Sequence, residues 1–401
     1  MSYRNTYAVV ALLCLSMLAA CTTPGPAPPP AGPPVEARLP DVRLAMPPTI
    51  YATPGVETNL YFDNVVLALY PANYAFDIAS PRGVQQAERW TYTPDAEDTR
   101  SFHITLRVFD QANRLLAEGT SAVVVTPADA GVGESVSALL IGDSLTAASV
   151  YSQHLLDLCA APGNPALALV GSRAPKSDAP ANRHEGYGGW TAERFATHFT
   201  GTARTGGSRD CGSPFLYADE AGRPRLDLAQ YYRDMNHGEP PDFVTILLGC
   251  NDVFTAIDGN IEERIDAILD HMDALIEAIR AAGPGTRIGL MAPVPPAASQ
   301  DAFGANYQSG QTRWQYKRNQ HRLIERMAER YGDREAENLS LVPAYTNLDC
   351  AHNYPQHAAP WNARAATSAV RLHNGVHPAP EGYRQIGDSI FCWMKAQLAQ
   401  P

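Results

Sequence analysis

The sequence has no excess of basic residues: 31 Lys and Arg stand against 42 Asp and Glu, a formal net charge of −11 over 401 residues. Binding a phosphate backbone requires a positive face, so nucleic acid is not expected as a partner. No Gly-rich phosphate loop and no G-x-G-x-x-G fingerprint follows a candidate strand, so no nucleotide cofactor is expected. His373 and His377 are four residues apart, but Gly375 and Pro378 break the helix that would align them as metal ligands. No metal and no cofactor is therefore expected. Hydrophobic residues, at 45%, are sufficient for ordinary buried cores, so the chain is not globally disordered.

A long apolar run is also missing. Residues 7–20 are apolar, but fourteen residues are too few for a helix to cross a ~30 Å hydrocarbon core, which takes about 20. With Arg4 ahead of it, this run reads as a targeting segment. It ends Leu18-Ala19-Ala20-Cys21, which resembles a bacterial lipobox, with Cys21 as the acylated residue. Thr22 and Thr23 follow rather than Asp, which implies an outer-membrane lipoprotein, held to the membrane only by its lipid. Residues 22–35 are rich in Pro, Ala and Gly and read as an extended tether.

Cysteine is scarce, with seven in all. Cys14 leaves with the signal and Cys21 carries lipid, leaving Cys159, Cys211, Cys250, Cys350 and Cys392. In an oxidising compartment the simplest count is two disulfides and one free thiol. Cys250 lies inside a candidate site motif and is taken as the free one. Of the three connectivities then open, Cys159–Cys211 with Cys350–Cys392 is the one expected.

Two textures divide the remainder. Residues 36–130 carry short β-rich runs at 59–62, 65–70, 101–109 and 121–125, separated by turn-formers such as Pro71-Ala72-Asn73. This predicts a small β-sandwich accessory domain. From 135 to 401, apolar runs at 138–141, 168–170, 243–248, 288–291 and 339–342 alternate with helical patterns. The clearest helix puts Ile261, Ile265, Ile268, Leu269, Met272, Leu275, Ile276 and Ile279 on one stripe, with Asn260 and Glu263 as a capping box and Gly283 as its stop. Buried strands alternating with such helices predict a three-layer α/β/α domain around a parallel sheet, whose ligands bind at the carboxyl ends of the strands.

Four segments fall where that architecture would place chemistry. Gly142-Asp143-Ser144-Leu145 follows the first strand, putting the Ser144 hydroxyl at the sheet's carboxyl edge. No second glycine completes G-x-S-x-G, so the nucleophile elbow of α/β-hydrolases does not fit. Glu185-Gly186-Tyr187-Gly188-Gly189-Trp190-Thr191 lets backbone approach a ligand closely. Gly249-Cys250-Asn251-Asp252 ends another strand, where an amide can donate without adding charge. Asn374-Gly375-Val376-His377-Pro378 leads into the C-terminal helix and offers a general base.

Taken in order, Ser144, Gly189, Asn251 and His377 resemble the four sequence blocks of the SGNH/GDSL hydrolases, over about residues 135–398. The second block is particularly similar to that of carbohydrate-active acyl esterases. The resemblance implies a flavodoxin-like sheet and a serine esterase: Ser144 as nucleophile, His377 as base, and an oxyanion hole of the Ser144 and Gly189 N–H groups and the Asn251 amide. A short-acyl ester of a saccharide is the substrate best suited to an exported protein with this block. A lipase, arylesterase or thioesterase, or a non-catalytic envelope lipoprotein with this fold, is the alternative.

One position departs from the family. The residue three before the histidine is usually Asp, and here it is Asn374. Asn374 or a backbone carbonyl could orient the ring in a Ser–His dyad, another carboxylate such as Asp349 could take the role, or the hydrolase could be weak or dead. Trp190, Asp252, Tyr307 and Trp314 are the candidate substrate contacts. The last two lie in segment 299–314, which is expected to fold over the site.

Overall fold

The computed structural model describes residues 42–175 and 179–400. The signal run, Cys21 and the tether lie outside the described residues. The described residues form one compact unit, and among them no helix is long and apolar enough to cross a membrane.

Six parallel strands make the central sheet, as the apolar runs require. They include β1 (Ser135–Gly142), β2 (Ala166–Val170), β3 (Phe243–Leu247), β4 (Arg287–Met291) and β5 (Leu339–Val342), in the order β2-β1-β3-β4-β5. The sixth, Glu185–Gly186, pairs with the last two residues of β1, just beyond the stretch that β2 covers. It thereby brings the glycine cluster to the point where the chain leaves β1. β3 is buried along its whole length, because helices cover both faces of the sheet. The Ile-rich stripe forms α2 (Ile261–Ala282), and its seven buried apolar residues face the core. The expected capping box is not made. The Asn260 carboxamide instead accepts from the Ile257 N–H, closing the turn before the helix.

The N-terminal strands build two small sheets, beside the two-stranded pair of Arg43–Leu44 and Val66–Leu67. Thr49–Ala52, Leu115–Val125, Phe102–Phe109 and Ala75–Ala79 lie in that order, and Thr58–Tyr61 pairs with Arg89–Tyr92, which pairs with Val84–Gln85. Trp90, Ile104, Leu106, Val108 and Val123 fill the space between them. That core is continuous with the one under the central sheet. Polar ties reinforce the junction: Asn64 Nδ2 donates to the Tyr345 and Leu348 carbonyls at 2.9 and 2.8 Å, and Asp63 pairs with Arg313 and Lys317.

All five described cysteines are free and buried, so the pairs Cys159–Cys211 and Cys350–Cys392 do not form. Each thiol is enclosed among other groups. Cys211 lies against the Arg173 guanidinium, whereas Cys159 belongs to a different core cluster; Cys350 contacts Asn64 and the Pro295 carbonyl. Burial pushes the Cys159 and Cys392 thiols up to about 12, which keeps them protonated and inert.

Candidate active site

The chain emerges from β1 at Gly142 with no room for a side chain: a Cβ there would lie 2.0 Å from Thr146 Oγ1. Asp143 follows and caps α1 (Ser144–Ala147), its Oδ1 accepting from the Leu145 N–H at 2.9 Å. The helix is a single turn, because Ser149 adopts φ +60° before the next helix begins at Val150. Ser144, at the first position of that turn, is half-buried, with its hydroxyl directed at the C-terminal part of the chain.

There it meets His377. Ser144 Oγ and His377 Nε2 are 2.8 Å apart. Two residues distant by 233 positions are joined because the 373–379 loop is fastened at several points. The His373 N–H donates to the Pro355 carbonyl, the Ala297 N–H to the Gly375 carbonyl, and the Ala379 N–H to the Asn353 carbonyl. α3 (Gln300–Tyr307) adds a further clamp: Asn306 Oδ1 accepts from the Gly375 N–H at 3.1 Å, and the Phe303 ring lies against Gly375. The segment expected to fold over the site thus contains a helix, and it buttresses the histidine loop from the side.

Asn374 does not orient the imidazole. Its Oδ1 accepts from the Val376 and His377 backbone N–H groups at 3.1 and 2.9 Å, so the side chain shapes the loop and not the ring. Asp349 is also elsewhere, paired with His352 at 3.0 Å and capping the local backbone. Among the described residues no hydrogen bond reaches His377 Nδ1. Burial alone lowers the imidazole's pKa below its ordinary value, with no carboxylate opposing it. Replacing Asn374 with Ala is therefore expected to cost about 1–2 kcal/mol of stability through two orphaned N–H groups. Asn374→Asp keeps both acceptors and should unfold close to wild type; thermal melts of the two variants check this.

The oxyanion-side groups gather around Asp143. The Tyr187 N–H donates to the Gly142 carbonyl at 3.0 Å, fixing the glycine run to the end of β1. Gly189 has φ +78°, which a side chain would strain, and open space where a Cβ would stand. Among the described residues neither the Ser144 nor the Gly189 N–H finds an acceptor. Asn251 Nδ2 lies between the Asp143 carboxylate and the Trp190 carbonyl, 3.0 Å from each. One of its hydrogens must leave the Trp190 carbonyl before it can serve an incoming oxyanion.

Asp143 is the functional residue that the sequence reading passed over. It is buried beside Asp252, and burial pushes its carboxyl up to about 7. It couples the serine's helix to Asn251 in one step. Its place immediately before a helix start, where Asp is a preferred cap, was the available signal.

Three of the four candidate substrate contacts prove to be packing groups. Trp190 is fully buried, stacked on Tyr187 at 4.3 Å, edge-on to Phe195, with Arg194 over its ring and its Nε1 donating to the Ser208 carbonyl. Truncating it to Ala should cost about 3–5 kcal/mol of stability rather than substrate affinity, which denaturant unfolding beside KM would establish. Asp252 caps the helix Ala192–Thr197 by accepting from the Ala192 N–H at 3.0 Å, and its Oδ2 is enclosed. Tyr307 packs in an aromatic group with Phe254 and Phe303. Trp314 is half-exposed beneath Arg318 and shares no hydrogen bond or ring contact with the Ser144–His377 pair.

What gathers at the carboxyl edge of the sheet is a hydroxyl hydrogen-bonded to an imidazole, with two unused backbone N–H groups, one from Ser144 itself and one from Gly189. The model of the GDSL-like Lipase/Acylhydrolase family matches residues 140–385, more than half of the chain. This chain belongs to that family. As a GDSL-type hydrolase it acts on carboxylic esters, and its parallel sheet is the family's.

No curated protein matches the chain. Similar solved structures include a carbohydrate esterase family 3 protein from Talaromyces cellulolyticus, with 18% identity, 66% of this chain and 98% of that one covered, and a TM-score of 0.37. A Clostridium thermocellum family 3 carbohydrate esterase has 16% identity, covers 67% and 100%, and scores 0.38. A carbohydrate acetylesterase family member from Sinorhizobium meliloti has 15% identity, covers 66% and 100%, and scores 0.38.

Proposed function

We propose that this is an exported serine esterase that removes a short acyl group, such as acetyl, from a saccharide through an acyl-enzyme on Ser144. The single observation that carries the chemistry is the 2.8 Å contact between Ser144 Oγ and His377 Nε2. For Nε2 to accept, the imidazole carries its proton on Nδ1. Ser144 Oγ then attacks the ester carbonyl carbon while its proton moves to Nε2. Negative charge develops on the carbonyl oxygen, towards which the free Ser144 and Gly189 N–H groups and a turned Asn251 amide donate. The tetrahedral species collapses, the C–O bond to the alcohol breaks, and Nε2 returns the proton to the departing oxygen. Water repeats the sequence on the acyl-enzyme, releasing the carboxylic acid and regenerating Ser144.

With Asn374 occupied by backbone and Asp349 by His352, the working pair is a Ser–His dyad whose histidine is held by its loop. The substrate class is supported by Gly186–Thr191, the block similar to that of carbohydrate-active acyl esterases. Export is supported by Arg4, the apolar run 7–20, the Leu18–Cys21 lipobox and the Pro-rich tether after it. A panel of nitrophenyl esters of rising chain length, with acetylated saccharides beside them, tests the reading. Acetyl should be preferred; a preference for long chains contradicts it and favours a lipase or thioesterase.

A further inference from the structure

Beside the histidine loop, α3 and the hairpin formed by Gln356–Pro360 and Ser368–Leu372 enclose an open cleft of about 750 Å³, within the size range of ligand sites. Its walls present Gln308, Ser309 and His357, while the Gln300 amide is engaged by the Gln311 carbonyl and the Arg313 N–H, and Thr312 Oγ1 accepts from the Gln315 N–H. Side-chain amides and hydroxyls both donate and accept, which is what a surface of sugar hydroxyls needs and what an acyl chain does not. The two charged groups of the wall cancel each other, since Arg371 Nη1 bonds Asp301 Oδ1 at 2.8 Å. The cleft therefore suits an uncharged ligand.

Arg371 extends the same wall to an aromatic. Its guanidinium stands 5.9 Å from the centre of the Trp361 ring, and Trp361 is 61% exposed at the end of the first hairpin strand. Val370, paired with Ala358 further along the hairpin, is 70% exposed. Leaving an indole in water forgoes a large apolar burial, and here it stands next to a groove whose walls mix amide and hydroxyl groups with apolar surface from Ala305 and Leu372. The hairpin's second strand ends at Leu372 and continues directly into 373–377, while α3 holds Gly375 through Asn306 and Phe303. The cleft thus adjoins the loop that carries His377.

We infer that this cleft, with Trp361 as a stacking surface, is a subsite for the neutral sugar residues flanking the acylated one, so that the enzyme acts on oligosaccharide or polysaccharide esters and not only on single sugars. The inference rests on the saccharide reading above and extends it to chain length.

The test uses chemically acetylated gluco-, xylo- and manno-oligosaccharides of increasing length, with 4-nitrophenyl acetate as a substrate too small to reach the cleft. For the wild type, KM should fall with chain length on at least one series. Trp361→Ala should raise KM about tenfold on the longer members, as loss of a stacking contact does. It should leave their kcat and all kinetics on 4-nitrophenyl acetate unchanged, and Trp361→Phe should recover most of the loss. If the wild type deacetylates the sugars but Trp361→Ala keeps their KM, the subsite is wrong and the saccharide reading stands. If the wild type cleaves 4-nitrophenyl acetate and none of the sugars, the saccharide reading fails and takes the subsite with it.

Discussion

Ser144→Ala lowers kcat on 4-nitrophenyl acetate by about 10⁴–10⁶-fold, the range seen when the nucleophile of a serine hydrolase is removed. The hydroxyl is the only atom lost. Asp143 still caps α1 and still holds Asn251, because neither bond uses the Ser144 side chain. The variant therefore melts with the wild type, and a circular dichroism trace recorded with the kinetics separates lost chemistry from lost fold. A fall of less than tenfold would mean that another group supplies the nucleophile.

His377→Ala costs less, about 10²–10⁴-fold in kcat, the range that a general base supplies. The loss is at the low end of what a full triad would show, because no carboxylate supports the imidazolium. The same geometry fixes the sign of the pH dependence. The base works when neutral, and burial lowers its pKa below the ordinary histidine value of about 6.5. kcat/KM should then rise with pH through a midpoint below that value and be flat above neutrality. A carboxylate bonded to Nδ1 would move the midpoint the other way. A midpoint above about 7 would therefore show that an acidic partner reaches the ring in solution.

The sheet was readable because buried parallel strands write themselves as uninterrupted apolar runs, and all five runs coincide with strands to within a few residues. The Ile stripe of α2 was readable for a related reason, its 3.6-residue period. Ser144 and His377 were readable as a pair because one stands at the exit of a strand and the other just ahead of a helix that the pattern identifies. Side-chain environment was not legible. Trp190 beside a glycine cluster suits stacking on a ligand equally well as stacking on Tyr187, and only the tertiary fold chooses the second. Asn374 occupies the triad's usual position, yet an amide so close to its own backbone N–H groups bonds them first. The cysteines misled because count and compartment say nothing of separation in space. The hairpin at 356–372 left little trace, its exposed strands having no buried face to impose alternation.

The account depends on one nucleophile activated by one imidazole. Intact-mass analysis after treatment with an organophosphonate tests it most directly. A single adduct should form, map to the peptide bearing Ser144, be absent in Ser144→Ala, and form far more slowly in His377→Ala. A folded wild-type protein that takes up no label, or one whose label survives in Ser144→Ala, would contradict it.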